Sequence, residues 1–197
     1  RTKYLAEDVY KNWQSEDPNN RTLVIVRPTV VFGEGNRGNV FNLIKQIASK
    51  RFVMFGKGKN IKSMAYVENL AAFLEYSLDF NPGLHIYNYV DKPDLDMNGL
   101  VSLIRKVLFN KSTVGFRLPS YLGVGIGYFT DFLSMILKQP FSVSSIRMKK
   151  FMATTQFSSS ADTTGFNPPV ALEDGLIKTI KYEFLEDNSG KPTFETE

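Results

Sequence analysis

The chain has 197 residues, of which 43% are hydrophobic and 22% charged, so it is long enough to bury a core and too polar for a protein embedded in a membrane. Its net charge of +4 comes from 24 basic and 20 acidic residues spread along the chain, which argues against nucleic acid, a partner that needs a clustered basic surface. With no cysteine and one histidine, disulfides and thiolate chemistry are excluded, no metal site is expected, and a cytoplasmic location is favoured.

The opening segment, RTKYLAEDVYKNW, places Leu5, Val9 and Trp13 at the spacing of one helical face. It has no starting methionine, and it lacks the basic tip and apolar run of a secretory signal. We therefore expect the chain to begin inside a helix and to be the carboxy-terminal portion of a longer protein. Within this helix, Tyr10 and Trp13 are predicted core residues.

The segment TLVIVRPTVVF at 22–32 is β-branched and almost continuously apolar, which predicts a strand of a parallel sheet that is buried on both faces. Pro28 has no amide hydrogen, so the regular strand should end or bend there. Asp96 is expected to cap a helix that follows it. The pattern further predicts helices at 40–50, 68–78 and 98–108, and strands at 52–55 and 85–90.

The remainder of the chain is predicted to be helical at 121–137, 142–152 and 172–185. The most apolar window, 121–136, contains Asp131 and falls short of a bilayer span, so it predicts an amphipathic helix over a pocket or partner and no membrane span. The fold class is α/β, with an incomplete Rossmann-like parallel sheet and a mostly helical substrate-binding subdomain. We expect residues 1–92 to form the sheet part, with a substrate loop insertion at 33–60, residues 93–186 the helical subdomain, and 187–197 a flexible tail.

Five strings occur in a characteristic order: RTKYLAE, VRPTVVFGEGN, GKGKNIKSMAYVENLAA, HIYNYVD and TGFNPPVALEDGLIKTIKYEF. Their order and spacing resemble the extended short-chain dehydrogenases that act as NAD(P)-dependent sugar-nucleotide epimerases and dehydratases. The resemblance covers nearly the whole chain, but neither GEGNRGN nor GKGKN has the glycine pattern of a dinucleotide fingerprint. It implies NAD or NADP as the cofactor, a nucleotide sugar as the substrate and a homodimer as the assembly.

The resemblance assigns the catalytic chemistry to Lys3. The family pairs a tyrosine base with a lysine four residues later, which places the tyrosine upstream of this chain. Lys3 would lower the tyrosine's pKa and bind the cofactor ribose, while Pro28, Thr29 and Val30 would lie against the nicotinamide. Several relatives carry asparagine at the position of Val30, so that polar contact is absent. Without the tyrosine and the fingerprint, the isolated chain is expected to be inactive.

The resemblance also implies a set of substrate-binding residues. Gly33 and Asn39 bound a glycine-rich loop that could present amides to a diphosphate. Lys62 occupies a place where arginine is commoner, which removes the bidentate geometry of a guanidinium. Arg147 is a candidate second phosphate ligand, although charged helical faces are usually only solvated.

These features predict an enzyme that oxidises a sugar hydroxyl with NAD(P) and then epimerises, dehydrates or reduces the keto-sugar, in surface-polysaccharide synthesis. Two alternatives remain open. One is a hydroxysteroid or flavonoid-type dehydrogenase of the same superfamily, which would need an apolar pocket in place of a phosphate clamp. The other is a catalytically inactive nucleotide-binding or scaffold protein.

Overall fold

The computed structural model describes residues 2–137, 144–188 and 190–194. Helices and strands alternate along these ranges, which confirms the predicted α/β class. The helices are α1 Thr2–Ser15, α2 Asn39–Ala48, α3 Val67–Tyr76, α4 Met97–Phe109, α5 Ser120–Leu137, α6 Ser145–Met152 and α7 Leu172–Phe184, and short 3-10 turns lie at Ser77–Asp79 and Ala161–Thr164. The strands are β1 Thr22–Pro28, β2 Val30–Phe32, β3 Met54–Phe55, β4 Ile61–Lys62, β5 Met64–Tyr66, β6 Gly83–Tyr89, β7 Leu95–Asp96 and β8 Arg117–Leu118.

The apolar segment at 22–32 forms two strands that divide at Thr29. Before this point β1 runs parallel to β6, and after it β2 runs parallel to β5. The break follows Pro28, which cannot donate to a strand ladder, so the predicted bend is confirmed. Thr29 still donates its amide to the carbonyl of Tyr89 at 3.2 Å. The carboxyl ends of β1 and β6 therefore stay together where the chain crosses to the second pair.

The other strands are short. β3 pairs in parallel with β8, and β4 pairs antiparallel with β7. Asp96 accepts a hydrogen bond from the amide of Gly99 at 2.7 Å, as the predicted helix cap requires. In the segment predicted as a tail, Phe194 exchanges backbone hydrogen bonds with Gly35 and Arg37.

The main hydrophobic core lies between α2, α4 and α7 and the strands β2, β3 and β5. Ile44, Ile104 and Leu176 are completely buried there. This cluster joins residues on both sides of the predicted boundary at 92 and 93, which itself stays a prediction. A second cluster surrounds Phe73, whose ring contacts the ring of Tyr89 at a centroid distance of 5.2 Å.

Two predictions of burial are wrong. Tyr10 and Trp13 are 58% and 43% exposed, because α1 turns this side away from β1. The central residues of β1 are only half-buried, because among the described residues β6 is its one strand neighbour. Apolar periodicity identified the helix and the strand correctly, but it could not show whether another element covers them.

Helix α5 has a longer apolar stretch than the sequence pattern suggested. It has 18 residues with a mean hydropathy of 1.2, enough by length and composition alone to cross a membrane, and only 11% of the stretch is buried. A single helix of this kind is weak evidence for a span. Among the described residues, α5 packs chiefly against α6 and β3.

Candidate functional site

The direction of α1 along β1 determines where Lys3 lies. Gln14, near the end of α1, donates to the carbonyl of Arg21 at 3.4 Å. In the middle of the helix, Glu7 accepts two hydrogen bonds from Arg27, at 2.9 and 2.5 Å. The helix and strand are thus antiparallel, and Lys3, one helical turn before Glu7, lies towards the carboxyl end of β1. Lys3 is exposed there.

Thr29 presents an unsatisfied polar atom at the same end of the sheet. Its hydroxyl oxygen is buried and has no hydrogen-bond partner among the described residues. The neighbouring side chain of Val30 is 42% exposed. A buried hydroxyl without a partner costs roughly 1–3 kcal/mol, so a bound ligand that bonds to it would gain affinity. An exposed lysine, a partnerless hydroxyl and an apolar surface fit the nicotinamide end of NAD(P).

Asp91 connects the carboxyl ends of both strand pairs. One of its oxygens accepts the amide of Tyr66 at 2.6 Å, and the other accepts the hydroxyl of Tyr89 at 3.0 Å. Its own amide donates to the carbonyl of Met64 at 3.0 Å. Burial raises the pKa of the Asp91 carboxyl, while the bond from Tyr66 opposes that shift. This carboxylate fixes the strand ends beside Thr29 without being exposed to a ligand.

The glycine-rich loop at 33–39 has internal partners for its amides. Gly35 donates to the carboxylate of Glu183 at 2.7 Å, and Gly38 donates to the side-chain oxygen of Asn36 at 2.7 Å. Arg37 pairs with the same Glu183 carboxylate. The predicted capacity of this loop to hold an anion is therefore used within the fold, by a carboxylate of α7. Substrate binding by Gly33 and Asn39 stays a prediction.

A cationic cleft lies between β3, β8 and the loop at 56–60. It has a volume of about 660 Å³. Its cations are Lys57, Lys59 and Arg117, and its apolar wall includes Phe55 and Met152. The start of α5 and the end of α6 border it. A cleft with three cations and an apolar wall is suited to a ligand that joins a phosphate group to a less polar one.

Arg117 and Asn98 hold the loop at 56–60 in position. Arg117 donates to the carbonyl of Lys57 at 2.7 Å and to the side-chain oxygen of Asn98 at 2.7 Å. The amide of Asn98 in turn donates to the carbonyl of Gly58 at 3.0 Å. These bonds preform the cleft before any ligand arrives.

Replacing Gly58 with alanine is expected to lower the free energy of unfolding by about 2–3 kcal/mol. Gly58 has a φ of +68°, and a Cβ there would lie 2.3 Å from the side-chain oxygen of Asn98, so backbone strain of about 1–2 kcal/mol adds to the loss of a packed contact. Gly165 is the matched control, since its φ is +81° but a Cβ would meet nothing within 4 Å. Urea unfolding of both variants should show the larger loss for Gly58→Ala. Equal losses of stability in the two variants would mean that the side chain of Asn98 moves aside without a cost in free energy.

Lys62 occupies a different place from that expected of a phosphate ligand. Its ammonium group donates to the carbonyl of Lys150 at 2.9 Å and to that of Ala153 at 2.7 Å, at the carboxyl end of α6. Desolvation lowers the pKa of Lys62. A cation at this end of a helix is favoured by the helix dipole. The structure thus gives Lys62 a helix-capping contact, and its role in substrate binding stays a prediction.

Comparisons with known proteins agree with this geometry. Residues 1–74 match the model of the 3-beta hydroxysteroid dehydrogenase/isomerase family. The whole chain is 47% identical to an N-acetyl-alpha-D-glucosaminyl-diphospho-ditrans,octacis-undecaprenol 4-epimerase of Escherichia coli O157:H7, over 60% of that protein's length. The chain is therefore similar to part of a sugar 4-epimerase and, in its first 74 residues, to the hydroxysteroid dehydrogenase family.

Two solved structures of epimerases are similar in fold. The UDP-glucuronic acid 4-epimerase of Bacillus cereus, solved with NAD, matches with a TM-score of 0.56 and 21% identity, over 91% of this chain and 48% of that one. The UDP-N-acetylglucosamine 4-epimerase of the same organism matches with a TM-score of 0.52 and 11% identity, over 80% of this chain and 44% of that one. The present chain thus spans about half of these structures.

The predicted site residues lie in two groups in the structure. The first group lies at or near the carboxyl end of β1 and consists of Lys3 on α1 together with Pro28, Thr29 and Val30. Lys62 contacts α6, the helix that carries Arg147, near the cationic cleft. The backbone amide of Arg147 donates to the hydroxyl of Ser144, the cap of α6, at 3.2 Å, and its side chain is exposed.

Three residues of the site region were not identified from the sequence. Arg117 and Asn98 are separated from the loop at 56–60 by about forty residues or more, and β8 is only two residues long. Asp91 follows a predicted strand directly, which is a position where ligand and anchoring residues of parallel sheets often lie. That position was the one feature of the sequence that could have identified Asp91, and no feature of the sequence pointed to Arg117 or Asn98.

Proposed function

We propose that this chain is the substrate-binding part of a 4-epimerase that acts on an N-acetylhexosamine linked through a diphosphate to a polyprenol. The observation that carries the proposal is the cationic cleft, which opens directly beside the exposed apolar surface of α5. A sugar diphosphate joined to an isoprenoid has the same succession of charge and apolar surface. The name of the 47% identical relative describes such a substrate.

Three cations of the cleft would bind the diphosphate. Lys57 and Lys59 are exposed on the loop, whereas Arg117 is held by bonds to the loop carbonyls. Charge-assisted bonds to a phosphate contribute about 1.5–3 kcal/mol each when they are shielded from water. Phe55, Leu118 and Met152 would contact the apolar side of the ligand. The cleft would therefore supply binding, and the chemistry would belong to the residues around Lys3 and Thr29.

Lys3 would provide the electrostatics of catalysis. A tyrosine hydroxyl has a pKa near 10, and a base that works at neutral pH needs a value roughly 3 units lower, about 4 kcal/mol of stabilisation of the phenolate. The ammonium of Lys3, one helical turn after the family's tyrosine, supplies part of that stabilisation. NAD(P), when bound, would supply the hydride chemistry at C4 of the sugar, while the family's tyrosine, assisted by Lys3, would take the proton of the sugar hydroxyl. The hydroxyl of Thr29 would hold the cofactor or the substrate in place.

Two other functions have observations in their favour. A nucleotide sugar is the substrate class named for several structural neighbours, such as the UDP-glucose 4-epimerase of Thermotoga maritima solved with UDP-glucose. A hydroxysteroid dehydrogenase is favoured by the family model that matches residues 1–74. The three cations in the cleft argue against the steroid, because a steroid has no group for them to bind.

The proposal is tested by comparing two substrates of the full-length protein. We expect epimerisation of N-acetylglucosaminyl diphosphate carried on a short polyprenol in detergent micelles, with kcat/KM at least about tenfold above that for the UDP-linked sugar. Lys57→Ala combined with Lys59→Ala should raise KM about tenfold or more and leave kcat nearly unchanged, as expected for a binding contact. Lys106→Ala with Lys111→Ala is a matched pair on another surface and should change neither. A preference for the UDP sugar would overturn the lipid-linked assignment.

We also propose a homodimer that forms through α1. Its side chains Tyr4, Leu5, Val9 and Tyr10 are between 52% and 66% exposed. Four large apolar side chains on one exposed helix form the kind of surface that protein partners cover. The family resemblance supports a dimer contact in this same region of the chain.

A further inference from the structure

The long apolar helix α5 has a composition that changes around its axis. Gly123 and Gly127 face inward, where a Cβ at Gly127 would lie 2.6 Å from the Cα of Ser145 in α6. Asp131, the one charged residue of α5, also turns inward and accepts the amide of Ser145 at 3.1 Å. The close approach at the glycines fixes α5 along the side of α6. What remains for solvent is the opposite face.

That outward face of α5 consists of large apolar and aromatic side chains. Phe129 and Phe132 are 61% and 53% exposed, and Met135 is 71% exposed. Tyr121 and Tyr128, also exposed, add two aromatic rings with polar hydroxyls, a residue type that favours the boundary between lipid and water. An exposed face of this kind needs a partner, and its aromatic content points to an interface.

The neighbouring helix α6 supplies basic charge beside this face. Arg147, Lys149 and Lys150 are exposed on it, and Ile146 among them is 64% exposed. Lys149 donates to the hydroxyl of Tyr128 at 2.8 Å, which ties the basic helix to the aromatic face. Helices with an apolar face bordered by lysine and arginine bind anionic lipid surfaces.

We propose that this lipid-facing surface, formed by α5 and α6, docks on an anionic membrane surface. The bilayer is the partner of this surface, because the cationic charge of α6 complements anionic headgroups and the cleft opens between the start of α5 and the end of α6. The role of this surface in substrate delivery rests on the proposed function. A sugar diphosphate whose polyprenol lies in the bilayer would reach the cleft without leaving the membrane.

The helix lies along the surface and does not cross it. Its 18 residues extend for about 27 Å, but one side is held against α6 and β3 by the contacts at Gly123 and Gly127. A Cβ at Gly123 would meet Phe55 at 2.7 Å, so this side belongs to the cleft wall. A helix fixed to the body of the protein in this way can insert one face only, to the depth of the headgroup and acyl boundary.

Binding of the full-length protein to vesicles tests the docking. We use vesicles of phosphatidylcholine alone and vesicles in which about a quarter of the lipid is phosphatidylglycerol, and measure partitioning by flotation. Lys149→Gln with Lys150→Gln should weaken binding to the anionic vesicles about 25-fold, at about fivefold for each charge, and should not affect the weak binding to neutral vesicles. Phe129→Ser with Phe132→Ser should weaken binding to both by at least about tenfold. All four changes are at exposed positions, so the variants should fold.

Matched controls and a direct probe complete the experiment. Leu78→Ser with Leu185→Ser removes two side chains that are 81% and 54% exposed elsewhere, and should leave vesicle binding unchanged. The chain has one tryptophan, Trp13, on α1. Phe129→Trp should add fluorescence that brominated phosphatidylcholine quenches, while the signal of Trp13 in the parent protein stays unquenched.

Three outcomes would overturn the docking. One is vesicle binding that is equal in the Phe129→Ser/Phe132→Ser variant and the parent. A second is quenching of Trp13 in preference to the introduced tryptophan. A third is a protein without vesicle affinity whose concentration-dependent self-association disappears in the same variant, which would assign this surface to a second copy. Turnover of the lipid-linked sugar in micelles needs no bilayer, so failure of the docking and failure of the proposed epimerase activity are separately visible.

Discussion

Asp91→Ala is expected to lower the free energy of unfolding by about 2–5 kcal/mol. The substitution leaves two donors without their acceptor, namely the amide of Tyr66 and the hydroxyl of Tyr89, and each buried donor that loses its partner costs about 1–3 kcal/mol. Asp91→Asn keeps one oxygen acceptor and should cost roughly half as much. Equilibrium urea unfolding measures both values. Asp79→Asn, at an exposed position, should change stability by no more than about 0.5 kcal/mol.

The free energy of unfolding contributed by Asp91 is expected to change with pH in a defined direction. Burial raises the pKa of Asp91 above its ordinary value of 3.8, so the native chain binds this proton more tightly than the unfolded chain does. The stability contributed by this group is therefore largest at low pH and falls as pH rises from about 3.8 through the raised pKa. The stability difference between the parent and Asp91→Asn should widen as pH falls. A difference that narrows would mean that the carboxylate is stabilised in its charged form.

Lys3→Met in the full-length protein is expected to lower kcat for epimerisation by about 10²–10³-fold at neutral pH. Removing the ammonium lets the pKa of the family's tyrosine base rise towards its ordinary value near 10, so less of the base is ionised. The loss should therefore shrink as pH is raised. Stability should change by less than about 0.5 kcal/mol, because Lys3 is exposed.

Two variants separate electrostatics from helix structure at this position. Lys3→Arg keeps the charge and should retain more activity than Lys3→Met at every pH. Lys11→Met removes a lysine from the same helix, two turns further on and paired with Glu7, and should leave kcat within about twofold of the parent. An unchanged pH profile in the Lys3→Met variant would mean that Lys3 is only a solvated residue of α1 and has no electrostatic role in catalysis.

Local patterns in the sequence predicted the order of the helices and strands well. The predicted helix with Asp96 at its cap, and the break at Pro28, depend on neighbours within a few residues. The family strings added the assignment of Lys3 to the helix beside β1. Orientation along β1 then required the structure, since the Glu7 and Arg27 pair joins residues twenty positions apart.

The loop residues show where sequence reasoning reached its limit. The glycines at 33, 35 and 38 predicted amides that bind an anion, and in the structure the amide of Gly35 binds one. The anion proved to be the carboxylate of Glu183, 148 residues after Gly35. Likewise, Lys62 carries its charge at the end of α6 and contacts carbonyls almost ninety residues away. No spacing in the sequence predicts such partners.

The sequence by itself determined the α/β class and the positions of most helices and strands, because these depend on periodicity, caps and breaks within single segments. Only the tertiary structure decided which charges are used internally and which face a ligand. It placed Arg117 and Asn98 around the loop at 56–60, and it turned the apolar face of α5 outward beside the basic α6. The physical reason is that burial and charge pairing are set by residues distant in the chain, and periodicity shows that a face is apolar without showing what covers it.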